Sequence, residues 1–334
     1  MSKVDRSRRT GSPPAPYLAA IAQVAPRFLD LDASLERAVA AIGEAASNGA
    51  RLVVFGETWL PGYPVWADAG IPWEGGDTKE AYARLHRNAV EIPGPAVDVL
   101  AAAARTHRVH VAIGVNERDA RYSRGSLYNT LLYLSDAGEV LGAHRKLVPT
   151  HSERVIWGQG DGSTLHVLDT PLGRLGGLIC WEHWMPLTRF AMHAKGEQVH
   201  VAVWPDMPEN HYIASRSYAF EGRSYVLCAG LFLRLADVPD DVPMRERLSD
   251  LADEDGLLLA GGSGVIAPNG EWVAGPVERQ EAIVYAEIDL ARIAEEQQAL
   301  DSVGHYNRPD VFRLAVDETA REPVTWEIGE PPPA

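Results

Sequence analysis

Two reactive side chains, Glu57 and Cys180, each close a short apolar run, and this placement is the first chemical signal in the chain. Glu57 ends LVVFGE (52–57) and Cys180 ends LGGLIC (175–180). Strand ends in sheet-based proteins carry functional groups because a rigid scaffold holds the loops there. A thiol attacks well only as its thiolate, so it needs a proton acceptor or a nearby cation. Glu57 is a candidate acceptor. Lys146, within HRKLVPTHSE (144–153), is a candidate cation, and Glu153 ends the same segment. The residues after Cys180 read as a helix start, whose N–H groups favour a thiolate. Taken singly, each residue has a plainer reading. A free cysteine is commonly a small buried hydrophobe, and acids and lysines after strands are commonly caps or solvated charges. Cys228, inside VLCA (226–229), keeps the plainer reading.

The elements that must position these groups follow from hydrophobic period. Short apolar runs predict strands at 17–24, 51–55, 109–116, 174–179, 199–204, 225–231, 264–267, 272–274 and 282–288. Apolar residues at helical spacing predict helices at 32–46, with Asp32 or Ser34 as cap, and at 95–107, 187–195, 212–223 and 290–298. Runs 127–134 and 139–144 flank Ser135-Asp136-Ala137-Gly138 and read as a hairpin. This alternation predicts layered α/β structure with a mixed sheet. The segment 237–256 is acidic and polar and reads as a mobile loop. No linker interrupts the chain, so one domain is expected over 17–314, between a basic, disordered tail at 1–16 and a Pro-ending tail at 315–334.

Bulk composition narrows the function classes. The chain has 334 residues, 46% of them hydrophobic, which suffices for a large core. Lys+Arg 31 against Asp+Glu 46 gives a net charge of −15, which argues against a nucleic-acid grip or an anionic membrane surface as partner. The basic start MSKVDRSRRTGSPPAP lacks the apolar core of a secretory signal, so a cytoplasmic location is expected. Two cysteines make neither a disulfide framework nor a zinc knuckle. None of the eleven histidines sits in an HExxH pair, so no metal is expected.

Four motifs in order change the weight of the single residues: GETWLPGYP (56–64), HRKLVPTHSER (144–154), WGQGDG (157–162) and CWEHWMPL (180–187). Together they resemble the nitrilase superfamily, and the Trp-Glu after Cys180 is similar to its true nitrilase branch. The likeness continues to DSVGHYNRPD (301–310), so it spans nearly all of 17–312. The resemblance implies a Glu-Lys-Cys triad on Glu57, Lys146 and Cys180, with the family's second active-site glutamate on Glu153. It also implies a four-layer α-β-β-α sandwich that pairs into an αββααββα homodimer, for which helices 187–195 and 212–223 are the candidate face. The short C-terminal tail argues against long filaments.

The implied reaction converts a small-molecule nitrile to its carboxylic acid and ammonia through a thioimidate and then a thioester on Cys180, with no cofactor. Glu57 serves as base, Lys146 stabilises developing anionic charge, and Glu153 orients Lys146. Tyr63, Trp157 and Trp181 lie near family pocket positions, where aromatic walls suit an apolar tail; core packing is an equal reading for each. His183, three residues past the thiol, joins them as a substrate-binding candidate. Three alternatives stay open: an amidase or N-carbamoyl amide hydrolase of the same superfamily, a nitrile hydrolyser that stops largely at the amide, and a catalytically silent oligomeric binding subunit.

Overall fold

The computed structural model describes residues 14–70, 75–122 and 124–324. Its first half contains β1 (Tyr17–Gln23), α1 (Leu31–Ser47), β2 (Ala50–Val54), α2 (Gly76–Arg87), α3 (Pro95–His107), β3 (His110–Arg118), β4 (Leu127–Leu134) and β5 (Val140–Arg145). The second half contains β6 (Val167–Thr170), β7 (Gly173–Ile179), α4 (Pro186–Ala194), β8 (Val199–Trp204), α5 (Glu209–Gly222), β9 (Tyr225–Gly230) and β10 (Phe232–Arg234). There follow α6 (Arg245–Ser249), β11 (Leu257–Ile266), β12 (Trp272–Glu278), β13 (Ala282–Ile288) and α7 (Ala291–Gln297).

These strands form two sheets. One has the order β13-β1-β2-β3-β4-β5; the other runs β10-β11-β9-β8-β7-β6, with β12 paired to β11. Both are built around a parallel triple, β1-β2-β3 in one and β7-β8-β9 in the other. The central strands are buried on both faces, which is why they read as continuous apolar runs. In β2, Leu52 and Val54 join the core between the sheets, while Val53 and, just past the strand, Phe55 share a core with the buried residues of α1 and α3. On the second sheet, Ala202 and Cys228 pack with Met192 of α4 and Ala214, Tyr218 and Ala219 of α5. The result is a four-layer α-β-β-α sandwich. Strand β13 runs antiparallel to β1, so the late chain closes the first sheet.

Several local expectations change. The helix cap is Asp30, whose Oδ1 accepts from the Ala33 N–H at 3.1 Å, whereas Ser34 is buried and donates to the Arg27 carbonyl. The strand expected at 264–267 begins at Leu257. Its paired glycines Gly261 and Gly262 adopt φ of 84° and 97°, which hides the run from a pattern search. Helix α2 gave no apolar stripe because only Ala81 and Leu85 are buried. The segment 237–256 is not a plain loop. It carries α6, and Val238, Val242, Met244 and Leu248 are buried anchors among its acids. Arg247 and Asp241 tie it to Asp77 and Arg84 of α2 at 3.0 and 2.9 Å.

Of the two expected tails, residues 1–13 and 325–334 lie outside the described residues. The described part, 315–324, has no regular secondary structure and is exposed. It is nonetheless tied down by Lys195–Glu318, by Arg121–Glu322 at 2.5 Å and by the Arg321 N–H donating to Asp161 at 2.7 Å.

Candidate functional site

The ends of the two parallel triples meet. Strand β2 runs into Gly56-Glu57 and β7 runs into Cys180. A Cβ on Gly56 would stand 2.6 Å from Leu231, just past β9, so the two sheets approach closely at this edge. Gly114 on β3 is more confined still: a Cβ there would lie 2.3 Å from both the Gly56 carbonyl and the Thr58 nitrogen. Three residues next to or within the site take left-handed backbone, Thr58 (φ 44°), His151 (φ 43°) and Cys180 (φ 54°). Such conformations cost about 1–3 kcal/mol each in non-glycine residues and persist only where the surroundings over-determine them.

Lys146 is the hub. Its ammonium is fully buried and donates to Glu57 Oε1 at 2.9 Å and to Glu153 Oε2 at 2.7 Å. Glu57 Oε1 also accepts from Asn129 Nδ2 at 2.6 Å. Glu57 Oε2 is buried with no hydrogen-bond partner among the described residues. Oxygens of Glu57 and Glu153 and the Cys180 Sγ lie within 4.8 Å of one another. Glu153 is held in turn: Tyr63 donates its hydroxyl to Oε1 at 2.9 Å, and the Thr150 N–H donates to Oε2 at 2.6 Å. Two acids and a thiol this close offer a ligand set for a cation, and the Lys146 ammonium already bonds both acids.

Electrostatics follow from burial. Removal from water, reinforced by Glu153, raises the Glu57 carboxyl to about 7 despite Lys146, so it exchanges a proton near neutrality. Burial also pushes the Cys180 thiol well up, with Glu57 adding to the effect against Lys146. Burial alone would lower Lys146, but Cys180, Glu57 and Glu153 carry it above its usual value, so it stays an ammonium. This corrects the expectation of a thiolate favoured by a following helix. Residues Cys180–Trp184 form only a 3-10 turn and α4 starts at Pro186, so at the Cys180 thiol burial outweighs the Trp181 backbone N–H, which favours the thiolate. Deprotonation of the thiol must be coupled to a base.

The structure gathers Glu57, Lys146, Glu153, Cys180, Tyr63 and Trp157 in one place. Tyr63 and Trp157 meet edge to face at 5.7 Å, and Trp157 Nε1 donates to Asn116 at 2.9 Å. Two substrate-binding candidates face elsewhere. Trp181 is 52% exposed and donates its indole N–H to His211 Nε2 at 3.1 Å. His183 is fully buried behind the turn, with Nδ1 at 2.6 Å from the Cys180 carbonyl and Nε2 at 2.9 Å from His200. Both of its nitrogens are therefore taken by protein.

Three residues escaped the sequence reading. Asn129 binds Glu57. Asn116 donates to the Leu60 and Gly62 carbonyls at 3.2 and 3.0 Å and fixes the loop after Glu57. Glu182 joins two motifs: it accepts from the Ile179 N–H at 2.7 Å, the Leu147 N–H at 2.8 Å and His144 Nε2 at 3.0 Å. Burial opposes its ionisation, but His144 and the two backbone N–H groups hold its carboxyl below the ordinary range. A signal existed for the asparagines, since each is a polar residue within a buried strand run, in HVAIGVNER and LYNTLLYL.

Comparison with known proteins agrees with this geometry. The model of the carbon-nitrogen hydrolase family matches residues 18–298. A protein named Nitrilase 2, from an unknown prokaryotic organism, is 44% identical over 93% of this chain and 95% of its own. A bifunctional nitrilase/nitrile hydratase, NIT4A of Lupinus angustifolius, is 41% identical over 92% of this chain and 88% of its own. Among solved structures, a carbon-nitrogen hydrolase from Helicobacter pylori G27 superposes with a TM-score of 0.68 at 19% identity, covering 89% of this chain and 97% of its own. Nit3 of Saccharomyces cerevisiae gives 0.66 at 20% identity, covering 88% and 97%. At these identities the two structures speak for the fold alone.

Proposed function

The chain belongs to the carbon-nitrogen hydrolase family, and from that premise we propose that it is a nitrilase in which Cys180 attacks, Glu57 moves protons, Lys146 stabilises charge and Glu153 holds Lys146 in place. The observation that carries this reading is the unpartnered, buried Oε2 of Glu57 in a cluster with the Cys180 thiol. A buried carboxylate oxygen without a donor is costly; a proton passing from Cys180 gives it one.

The thiol proton goes to Glu57 as Sγ bonds the nitrile carbon. The displaced π pair collects on nitrogen, which takes the proton back from Glu57 and leaves a thioimidate. Water then adds at the same carbon, its proton again received by Glu57. Lys146 donates to the tetrahedral stage, where fixed donors act most strongly. Glu57 returns that proton to nitrogen, the proton of the new hydroxyl follows it by way of Glu57 as the carbonyl forms, the C–N bond breaks, and ammonia leaves a thioester behind. A second water breaks the C–S bond, releasing the carboxylic acid and restoring the thiol. Tyr63 and Trp157 supply an aromatic wall beside Glu153, while Trp181 is exposed and turned to His211. His183 supports the nucleophile from behind and does not meet substrate.

The relatives named nitrilase support nitriles over amides as substrates, and Trp181-Glu182 after Cys180 is in keeping with that branch. A cytoplasmic homodimer is part of the same reading. No helix among the described residues is long and apolar enough to cross a membrane. Leu187 on α4 and Ile213 and Phe220 on α5 are exposed apolar residues on the face expected to pair. The deciding experiment is ammonia release from matched nitriles and amides by the parent and by Cys180→Ala. Acid plus ammonia from nitriles only, with an inert alanine variant, upholds the reading. Activity on amides alone moves the protein to the amidase alternative, and full activity in Cys180→Ala removes the mechanism.

A further inference from the structure

Behind Cys180 a file of buried polar side chains runs through the second sheet, and the mechanism above uses none of its far members. His183 Nδ1 lies 2.6 Å from the Cys180 carbonyl oxygen, and His183 Nε2 lies 2.9 Å from His200 Nε2. His200 Nδ1 lies 2.9 Å from Glu197 Oε1, and the Tyr218 hydroxyl donates to Glu197 Oε2 at 2.5 Å. His183, His200 and Tyr218 have no exposure, and Glu197 is 5% exposed. His183 stacks on Trp204 at 4.7 Å and His200 on Tyr218 at 3.8 Å, so neither ring is free to turn.

Donor counting gives the file a direction. A carbonyl oxygen only accepts, so His183 Nδ1 carries a proton. One proton lies between the two Nε2 atoms. If both rings are neutral, His183 Nε2 accepts and His200 Nε2 donates, which leaves His200 Nδ1 as a lone pair. That lone pair faces Glu197, and a lone pair facing a carboxylate is repulsive. Neutral rings therefore require Glu197 to carry the donating proton. The only other assignment puts an imidazolium in the file against an ionised Glu197. Burial decides between them, because it disfavours every charged form. It lowers both histidines well below their usual range and raises Glu197 to about 8. His193 of α4, itself held down to about 4 by burial, and Tyr133 of β4 also act on or feel Glu197; Arg174, Arg223 and Asp301 line the same cavity as Glu197, and Glu182 and His144 act on His200.

We propose that Glu197 is a positioning residue that works as a neutral carboxylic acid, donating to His200 and so setting the direction of the hydrogen bonds that clamp the Cys180 carbonyl. The clamp matters because Cys180 has φ 54°, and its carbonyl bond to His183 resists relaxation of the nucleophile out of that conformation. For turnover the inference rests on the nitrilase reading. For the state of the thiol and the rings it does not.

The test compares Glu197→Gln with Glu197→Leu. Glutamine keeps both contacts, since its amide nitrogen donates to His200 Nδ1 and its oxygen accepts from Tyr218; leucine keeps neither. The readouts are the rate at which iodoacetamide alkylates Cys180, followed on its peptide by mass spectrometry, and kcat and KM for nitrile hydrolysis. Glutamine should hold alkylation and kcat within about threefold of the parent, and leucine should lower both by about tenfold or more with KM changed less. Equal damage from glutamine and leucine overturns the proposal, because it means that an ionised Glu197 is the working form. A leucine variant that matches the parent overturns it as well. Nitrogen NMR of the histidine-labelled parent at pH 7 needs neither variant nor substrate. Neutral resonances for His183 and His200 support the proposal, and an imidazolium at either one refutes it.

Discussion

Replacing Glu182 by glutamine should uncouple Lys146 from Cys180 without touching either. Each Glu182 oxygen faces a backbone donor, Oε1 the Leu147 N–H at 2.8 Å and Oε2 the Ile179 N–H at 2.7 Å. Whichever way the glutamine amide turns, its NH₂ opposes one of these N–H groups, so one contact becomes repulsive. A hydrogen bond to a charged group contributes about 1.5–3 kcal/mol, and the buried N–H left behind adds to the loss, giving about 2–4 kcal/mol of destabilisation. Leu147 adjoins Lys146 and Ile179 adjoins Cys180, so relaxation of either contact moves a reacting group directly. Misplacement by about 1 Å can cost about 10²-fold in rate. The expected result is a lower thermal midpoint and a kcat for ammonia release reduced about 10²-fold, with KM changed less. The linkage sign follows from the direction of the shift. Glu182 is held low in the folded state, so its contribution is present above the unfolded carboxylate range and is lost as pH falls through the lowered value. Glu182→Gln should flatten that acid limb. A variant that keeps kcat within about threefold and melts with the parent would refute the idea that this carboxylate couples the two motifs.

Activity should fall as pH drops through about 7, because Glu57 must be ionised to receive the thiol proton and its carboxyl is raised to about 7; a pH profile of kcat/KM checks this limb. Gly114→Ala should be among the most damaging small substitutions, since its Cβ would meet the Gly56 carbonyl and the Thr58 nitrogen at 2.3 Å and push the Glu57 loop away from Lys146; soluble yield and residual activity read the effect. Tyr63→Phe removes the donor to Glu153 Oε1 and leaves a buried carboxylate oxygen unpaired, for a loss of about 1–3 kcal/mol, seen as a kcat lowered roughly tenfold.

The site departs from an ordinary buried ion pair. Two carboxyls, one ammonium and one thiol share a space of a few ångströms, and a single cation cannot compensate three anions in a low-dielectric interior. A proton on Glu57 or on Cys180 reduces the mismatch. Burial raises both groups, so each of them favours its protonated form more than it would in water.

The sequence by itself determined the layered α/β character, the four motifs and the residue types of the cluster, because apolar period and strand-end placement are local properties of neighbouring residues. It misread what lacks such a local signature. Helix α2 shows only two buried positions, β11 is interrupted by Gly261 and Gly262, and four apolar anchors hide among the acids of 237–256. Tertiary structure alone decided which oxygen of Glu57 is left unpaired, since that depends on Asn129, 72 residues away, and on Lys146, 89 residues away. It also decided that burial opposes a Cys180 thiolate and that His183 turns its ring away from the cluster toward His200. Protonation state and side-chain direction depend on burial and on partners brought in by other strands, and residue spacing along one segment carries no record of either.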